Sequence, residues 1–324
     1  MKQLSIPAML ILWAAISVGA ILFAVFQGYG GHAFIVTAAT FASLFLIVLI
    51  FAARGVADRL ARQFGPTSGF LLAAILFIIY IFYLVGTGSF SVIRAAEMAA
   101  FIFIPVGVAV ASGTSAPGSW GDYLTVAGMW AFIKFGPSHF LWPYPNARFS
   151  YVLTVLIAIA TGLAAFVLVR RLNGIGYSIG WGKRWTFYIL AAFVIFACVA
   201  VPVAIAMRFV AFDPRWHSWL SFAPLAIAIL FFTAWPEEFL FRGLLPNMLT
   251  RSTKNDLAAW WTASMLFGFS HITTTHFPNW RYVTLAAVAG LFYGWTWRRC
   301  GSIFASAIVH AAVDVTWHFF FRTL

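Results

Sequence analysis

Ten apolar runs divide this chain, near residues 6–26, 33–53, 69–87, 95–111, 150–169, 186–207, 218–236, 257–275, 282–297 and 302–321. Several approach the ~20 residues an α-helix needs to cross a bilayer. Charged residues make up 9% of the 324 and hydrophobic ones 63%. A soluble domain carries about 25% charged residues, so a soluble fold of this composition could not cover its surface. In lipid the backbone must be satisfied internally, which leaves helices or closed barrels. Run length, alanine and leucine content and the lack of strand-like alternation favour helices. The expected fold is all-α, a polytopic transmembrane helical bundle with about nine to eleven crossings.

The net charge is +12. In a soluble protein that would point to nucleic acid. Here the lysines and arginines flank apolar runs, as they do on the cytoplasmic side of membranes. No basic run interleaves with loop aromatics, so no nucleic-acid partner is expected; the lipid bilayer is. Basic clusters stand at Arg54/Arg59/Arg62, Arg170/Arg171/Lys183/Arg184, Arg251/Lys254 and Arg298/Arg299. If all face the cytoplasm, an even number of crossings separates them. Three runs lie between Arg62 and Arg170, so either the 123–142 region also crosses or 95–111 does not. The expectation is a multi-pass protein of the cytoplasmic (plasma) membrane, with its N-terminus and its site opening toward the cytoplasm. The first apolar run exceeds the ~7–15 residues of a signal peptide and reads as a first transmembrane helix. Cys198 and Cys300 form no CxxC pair and no disulfide framework; Cys198, inside an apolar run, reads as a small core residue.

The chemistry concentrates in "FFTAWPEEFLFRGLL", Phe231 to Leu245. Of the eight acidic residues, Glu237, Glu238 and Asp314 lie in apolar surroundings. A charge at mid-bilayer costs on the order of 3 kcal/mol on insertion scales, so partners are required: Arg242, His271 and His310. Glu238 and Arg242 are four residues apart on a helix and share a face. Glu237 points roughly 100° away and can face a cavity. His271 follows Phe267 by four residues, and Asp314 follows His310 by four. Three helices would thus offer a carboxylate, an imidazole, and an imidazole with a carboxylate. A buried glutamate can take a proton from water, a histidine can share that water, and further donors can stabilise an oxyanion. Each element alone also reads structurally, as an ion pair, an interhelical hydrogen bond or a buried pair; the set together favours a site. His32, His139, His217 and His276 fall in or beside loops, and His318 reads as interfacial. Gly290 and Gly294 form a GxxxG, whose plain meaning is close helix packing.

These residues carry a resemblance. "EEFLFR" resembles the EExxxR motif of the CAAX protease and bacteriocin-processing family of intramembrane endopeptidases, "FGFSH" its FxxxH motif, and "HAAVD" stands where HxxxN belongs. The resemblance covers roughly 217–324, which makes that segment a catalytic core and leaves 1–216 as N-terminal transmembrane helices without an assigned role. It implies a glutamate-type endopeptidase related to the type II CAAX prenyl endopeptidases, acting on a membrane-associated or lipidated substrate. Carried over, Glu237 and His271 activate water, Glu238 and Arg242 support them beside Phe267, and His310 with Asp314 forms the oxyanion hole. No metal or other cofactor is implied, although such motifs have been read as zinc ligands. Asp314 departs from the asparagine of the motif. An asparagine donates a hydrogen bond at any pH and an ionised aspartate does not. Asp314 is therefore either kept protonated or accepts from His310 and orients that ring. Two other readings stand beside this one. A zinc metallopeptidase would use Glu237, His271, His310 and Asp314, without the usual HExxH. A non-cleaving scaffold or bacteriocin self-immunity protein would use none of them chemically.

Overall fold

The computed structural model describes residues 2–113, 116–214 and 221–324. They form two compact units, Gln3–Asn173 and Gly174–Leu324. His217 lies outside the described residues.

The first unit contains α1 (Ile6–Phe26), α2 (Gly31–Phe51), α3 (Val56–Phe64), α4 (Thr67–Gly86), α5 (Val92–Ala111), α6 (Trp120–Phe135), α7 (Ser138–Leu141) and α8 (Ala147–Gly162). α8 continues through a wide, π-helical stretch, Leu163–Val169. It is the buried centre of the unit, with Leu156, Ile157, Leu163 and Phe166 packed against the inner faces of α2, α4 and α5. α6 opens with a capping box: Ser119 Oγ accepts from the Asp122 amide, and the Asp122 carboxylate accepts from the Ser119 amide. The same carboxylate takes two hydrogen bonds of 2.8 Å from Arg170, just past the end of α8. At the opposite end of these helices, the Tyr83 hydroxyl donates to the Tyr144 carbonyl at 2.9 Å. These contacts place the start of α6 beside the end of α8, so α6 returns the chain across the unit. That resolves the parity left open between 88 and 149: the 95–111 run lies inside the 20-residue α5, and the chain also turns back through the 16-residue α6.

The second unit contains α9 (Trp185–Ala206), α10 (Phe222–Thr253), α11 (Asp256–Phe269), α12 (Trp280–Cys300) and α13 (Ile303–Phe320). Short strands Val210–Phe212 and Phe321–Thr323 pair antiparallel and tie the end of α9 to the end of α13. α9 belongs with this unit through its aromatic face: Phe196 meets Phe292 and Tyr293, with ring centres 5.7 and 6.5 Å apart. This compact unit begins at 174.

Among the described residues, eight helices are long and apolar enough to span a membrane, and the fold is an all-α, multi-pass bundle. That count is by length and composition; α6, α11 and α12 fall outside it, yet each carries the chain from one end of its unit to the other. α11 has 14 residues, about 21 Å at 1.5 Å per residue, short of the ~30 Å hydrocarbon core. α12 has 21 residues but carries Arg281, Arg298 and Arg299. These two helices pack closely through glycine. A Cβ on Gly268 would lie 2.6 Å from the Val283 carbonyl oxygen, and one on Gly290 would lie 3.1 Å from the Ser264 backbone. The GxxxG therefore does the packing work its pattern suggests. Cys300 is buried; Cys198 is exposed rather than in the core, on the outward face of α9.

Candidate active site

α10 carries the glutamate pair near its middle, at the sixteenth and seventeenth of its 32 residues. Two wide π-helical stretches, Leu230–Ala234 and Phe239–Leu244, bracket Trp235–Glu238. Each ends two residues before a proline, Pro236 and Pro246. A helical proline lacks an N–H, and its ring collides with the carbonyl four residues back; widening the preceding turn relieves both problems. Such widened turns recur at functional sites.

Glu238 is fully buried and accepts from three side chains. Arg242 Nη1 and His310 Nδ1 both lie 2.9 Å from its Oε1, and Ser306 Oγ lies 2.5 Å from its Oε2. Arg242, 2% exposed, also reaches the Gly290 carbonyl at 3.3 Å. Its guanidinium lies over Phe267 and Tyr293, at 4.3 and 5.1 Å from the ring centres. Burying a cation there is tolerable because a carboxylate, a carbonyl and two ring faces surround it. The i,i+4 pairing expected of Glu238 and Arg242 is thus formed, within a larger network.

His310 sits at the junction of the three helices. Its Nδ1 faces Glu238, so as a donor to a carboxylate that nitrogen carries the proton. Its Nε2 points the other way, 3.8 Å from Glu237 Oε2 and 3.5 Å from Asp314 Oδ2. Tyr293 stacks on the ring at 4.6 Å, with 18° between the planes. Asp314 therefore stands at the outward nitrogen, while Glu238 holds the inward one. The side chains of Glu237 and Asp314 are 28% and 36% exposed, against 4% for His310 and none for Glu238. The two carboxylates at the outward nitrogen are the accessible ones.

His271 lies two residues beyond the end of α11. Its Nδ1 is 2.9 Å from the Phe267 carbonyl and 3.0 Å from Ser270 Oγ. A carbonyl only accepts, so Nδ1 carries the proton and Nε2 the lone pair. Tyr282 covers the ring at 4.8 Å. Phe267 connects the parts: its ring meets His271 at 5.0 Å, His310 at 5.6 Å and Phe241 at 5.2 Å. Every residue singled out from the sequence, Glu237, Glu238, Arg242, Phe267, His271, His310 and Asp314, belongs to this one neighbourhood. Ser306, Tyr293 and Tyr282 were not singled out. Ser306 had a signal, standing one helical turn before His310 on the Asp314 face; the two tyrosines had none that a single helix could reveal. His32, His139, His276 and His318 are exposed and take no part.

Among the described residues, no three His, Cys, Asp or Glu side chains are arranged to hold a metal ion.

Residues 218–316 match the family model described as type II CAAX prenyl endopeptidase Rce1-like. The match covers a little under a third of the chain and takes in every site residue named above. No curated protein and no solved structure matches the chain. The resemblance read from the motifs is therefore that of an Rce1-like segment, and it identifies a protease of the intramembrane CAAX type in general terms.

Proposed function

We propose, from the Rce1-like character of residues 218–316, that this chain is a glutamate-type intramembrane endopeptidase. Its substrate is a membrane-bound or lipidated polypeptide. Glu237 takes a proton from a water that His271 Nε2 helps to hold, and the resulting hydroxide attacks the scissile carbonyl. Negative charge develops on the carbonyl oxygen. His310 acts as an imidazolium: Nδ1–H donates to Glu238, and Nε2–H donates to that oxygen. Glu237 then passes its proton to the leaving amine, and the peptide bond breaks. Arg242 and Ser306 hold Glu238, and through it the His310 ring; they are positioning residues. Asp314, beside Nε2 but not at hydrogen-bonding geometry with it, supplies negative charge there without consuming its proton.

The observation that carries this reading is the division of labour between adjacent glutamates. One is buried and bonded to three donors, and the other faces outward beside an imidazole nitrogen. No metal enters the scheme, and activity that persists after chelation supports that part; loss on chelation with recovery on added zinc would replace it with the metallopeptidase reading. Mapping of peptide termini across the host proteome, wild type against Glu237→Ala at equal protein level, tests the whole. Cleavage products confined to the wild type support a protease and name its substrate. Identical termini with an unchanged biological effect favour a non-cleaving scaffold.

A further inference from the structure

The second unit has two unlike ends. At one end lie the start of α9, the α10–α11 connection and the end of α12, with Lys183, Arg184, Arg251, Lys254, Arg298 and Arg299. At the other lie the end of α9, the α11–α12 loop and the end of α13, with Arg208, Arg281 and Arg322; the sequence adds Arg215 to the α9–α10 connection. The strand pair between 210–212 and 321–323 fixes that second grouping. Six basic residues thus stand against four. The first unit, by itself, has the same bias. Arg54, Arg59, Arg62, Arg170 and Arg171 share the end where Asp122 meets Arg170, and Arg94, Lys134 and Arg148 fall at the other. Lysine and arginine excess marks the cytoplasmic side.

The site is not symmetric between these ends. On the basic side it is closed by a buried floor of Arg242, Leu244, Tyr293, Ile303 and Ser306. On the other side stand the accessible groups: Glu237, Asp314, and the partly exposed His271 and Tyr282. His271 is in the loop at that end, and Tyr282 is the third residue of α12. Asp314 is six residues from the end of α13, about 9 Å along the axis. The first turns of α10, Phe222–Ile229, contain no buried residue, whereas its last turns do.

We infer that the site opens toward the non-cytoplasmic face of the membrane, and that the substrate is a membrane-anchored polypeptide presenting its scissile bond from that side. This reverses the cytoplasmic opening expected from the basic clusters near the motif helices: those clusters mark the floor of the site, not its mouth. The substrate half rests on the protease reading; the sidedness does not. A lipidated C-terminus confined to the cytosol would meet the floor.

Single cysteines test it, in a chain with Cys198 and Cys300 replaced by alanine, expressed in intact cells and probed with a membrane-impermeant maleimide. Thr273→Cys, in the exposed α11–α12 loop, is expected to label without permeabilisation, and Ser252→Cys, at the basic end, only after it. Leu324→Cys, at the same end as Thr273, serves if the loop variant fails to accumulate. The reverse pattern, or equal labelling of both ends in intact cells, overturns the inference. Labelling needs no turnover, so it fails independently of the protease reading. Wild-type-specific cleavage sites that all fall in cytosolic segments would sustain the protease and overturn the sidedness.

Discussion

Truncating the two adjacent glutamates separately should damage two different things. Glu238→Ala removes the acceptor of three hydrogen bonds, from Arg242, His310 and Ser306, at 2.9, 2.9 and 2.5 Å. Arg242 would keep only a 3.3 Å contact to the Gly290 carbonyl and its two ring faces. Breaking a buried pair by removing one partner costs about 3–5 kcal/mol, because the other charge is left uncompensated. Two unit charges about 4 Å apart at an effective dielectric near 20 interact by about 4 kcal/mol, the same order. For a unit of this size that corresponds to a fall in melting temperature on the order of 10 °C. Glu237 has a 28% exposed side chain, and its closest approach to His310 is 3.8 Å. Its truncation should change stability by no more than about 1 kcal/mol, yet abolish cleavage.

The charge can be separated from the hydrogen bonds. In Glu238→Gln the amide oxygen can occupy the Oε1 position facing Arg242 and His310, and the NH2 group can face Ser306, whose hydroxyl turns to the Tyr293 carbonyl at 2.7 Å. This variant should fold, with a smaller loss than alanine. Adding Arg242→Met to Glu238→Ala should recover stability without activity, since no orphan charge remains. Heating the detergent-solubilised protein and following its monodispersity, alongside peptide cleavage, reads both effects. Equal destabilisation by Glu237→Ala and Glu238→Ala, or a Glu238→Ala variant as stable as wild type, would refute the assignment of structural and chemical roles.

Asp314→Asn should retain cleavage and Asp314→Ala lose most of it, measured as initial rates on one substrate; equal activity in all three removes Asp314 from the mechanism. Gly268→Ala should destabilise the α11–α12 contact by about 1–3 kcal/mol, because the added Cβ meets backbone, the Val283 carbonyl oxygen at 2.6 Å; an unchanged melting temperature would show that the crossing gives way cheaply. Burial alone would push the Asp122 carboxyl up, but the Arg170 guanidinium and the Gly118 and Ser119 donors hold it below the usual carboxylate range. A depressed carboxyl contributes stability above its unfolded pKa, near ~3.9, and loses it as pH falls through the lower folded value. Asp122→Asn should therefore be less stable than wild type at neutral pH, with the gap closing only in strong acid; a gap independent of pH would deny the pair its electrostatic role.

Much of the site was legible because helical spacing is local. The pairing of Glu238 with Arg242 and the shared face of His310 and Asp314 follow from four-residue steps, and both occur. The membrane fold was legible from run length and composition. Fewer helices than the ten runs are long and apolar enough on their own, since α11 has 14 residues and α12 carries charge at its ends. The two π-helical stretches were hidden in propensity but marked by Pro236 and Pro246, which stand ten residues apart around the motif. What no local pattern could supply was the direction of each group. Sequence spacing left His310 oriented by Asp314 or donating with it. The fold gives its inner nitrogen to Glu238, 72 positions away in the chain, and leaves Asp314 at the outer one.

That reversal explains why the acidic pair is adjacent. In lipid an isolated carboxylate is expensive, and a reactive one must remain accessible. Placing Glu237 next to Glu238 puts a reactive group one residue from a saturated one, on the same stretch of α10 between two widened turns. The saturated group fixes Arg242 below and His310 beside it; the ring then carries that rigidity across to the outer face, where Glu237 and Asp314 flank its second nitrogen. Rigidity is transmitted through His310 while accessibility is kept at Glu237. A single glutamate could not meet both requirements, because every donor that held it would occupy the oxygens needed to accept a proton.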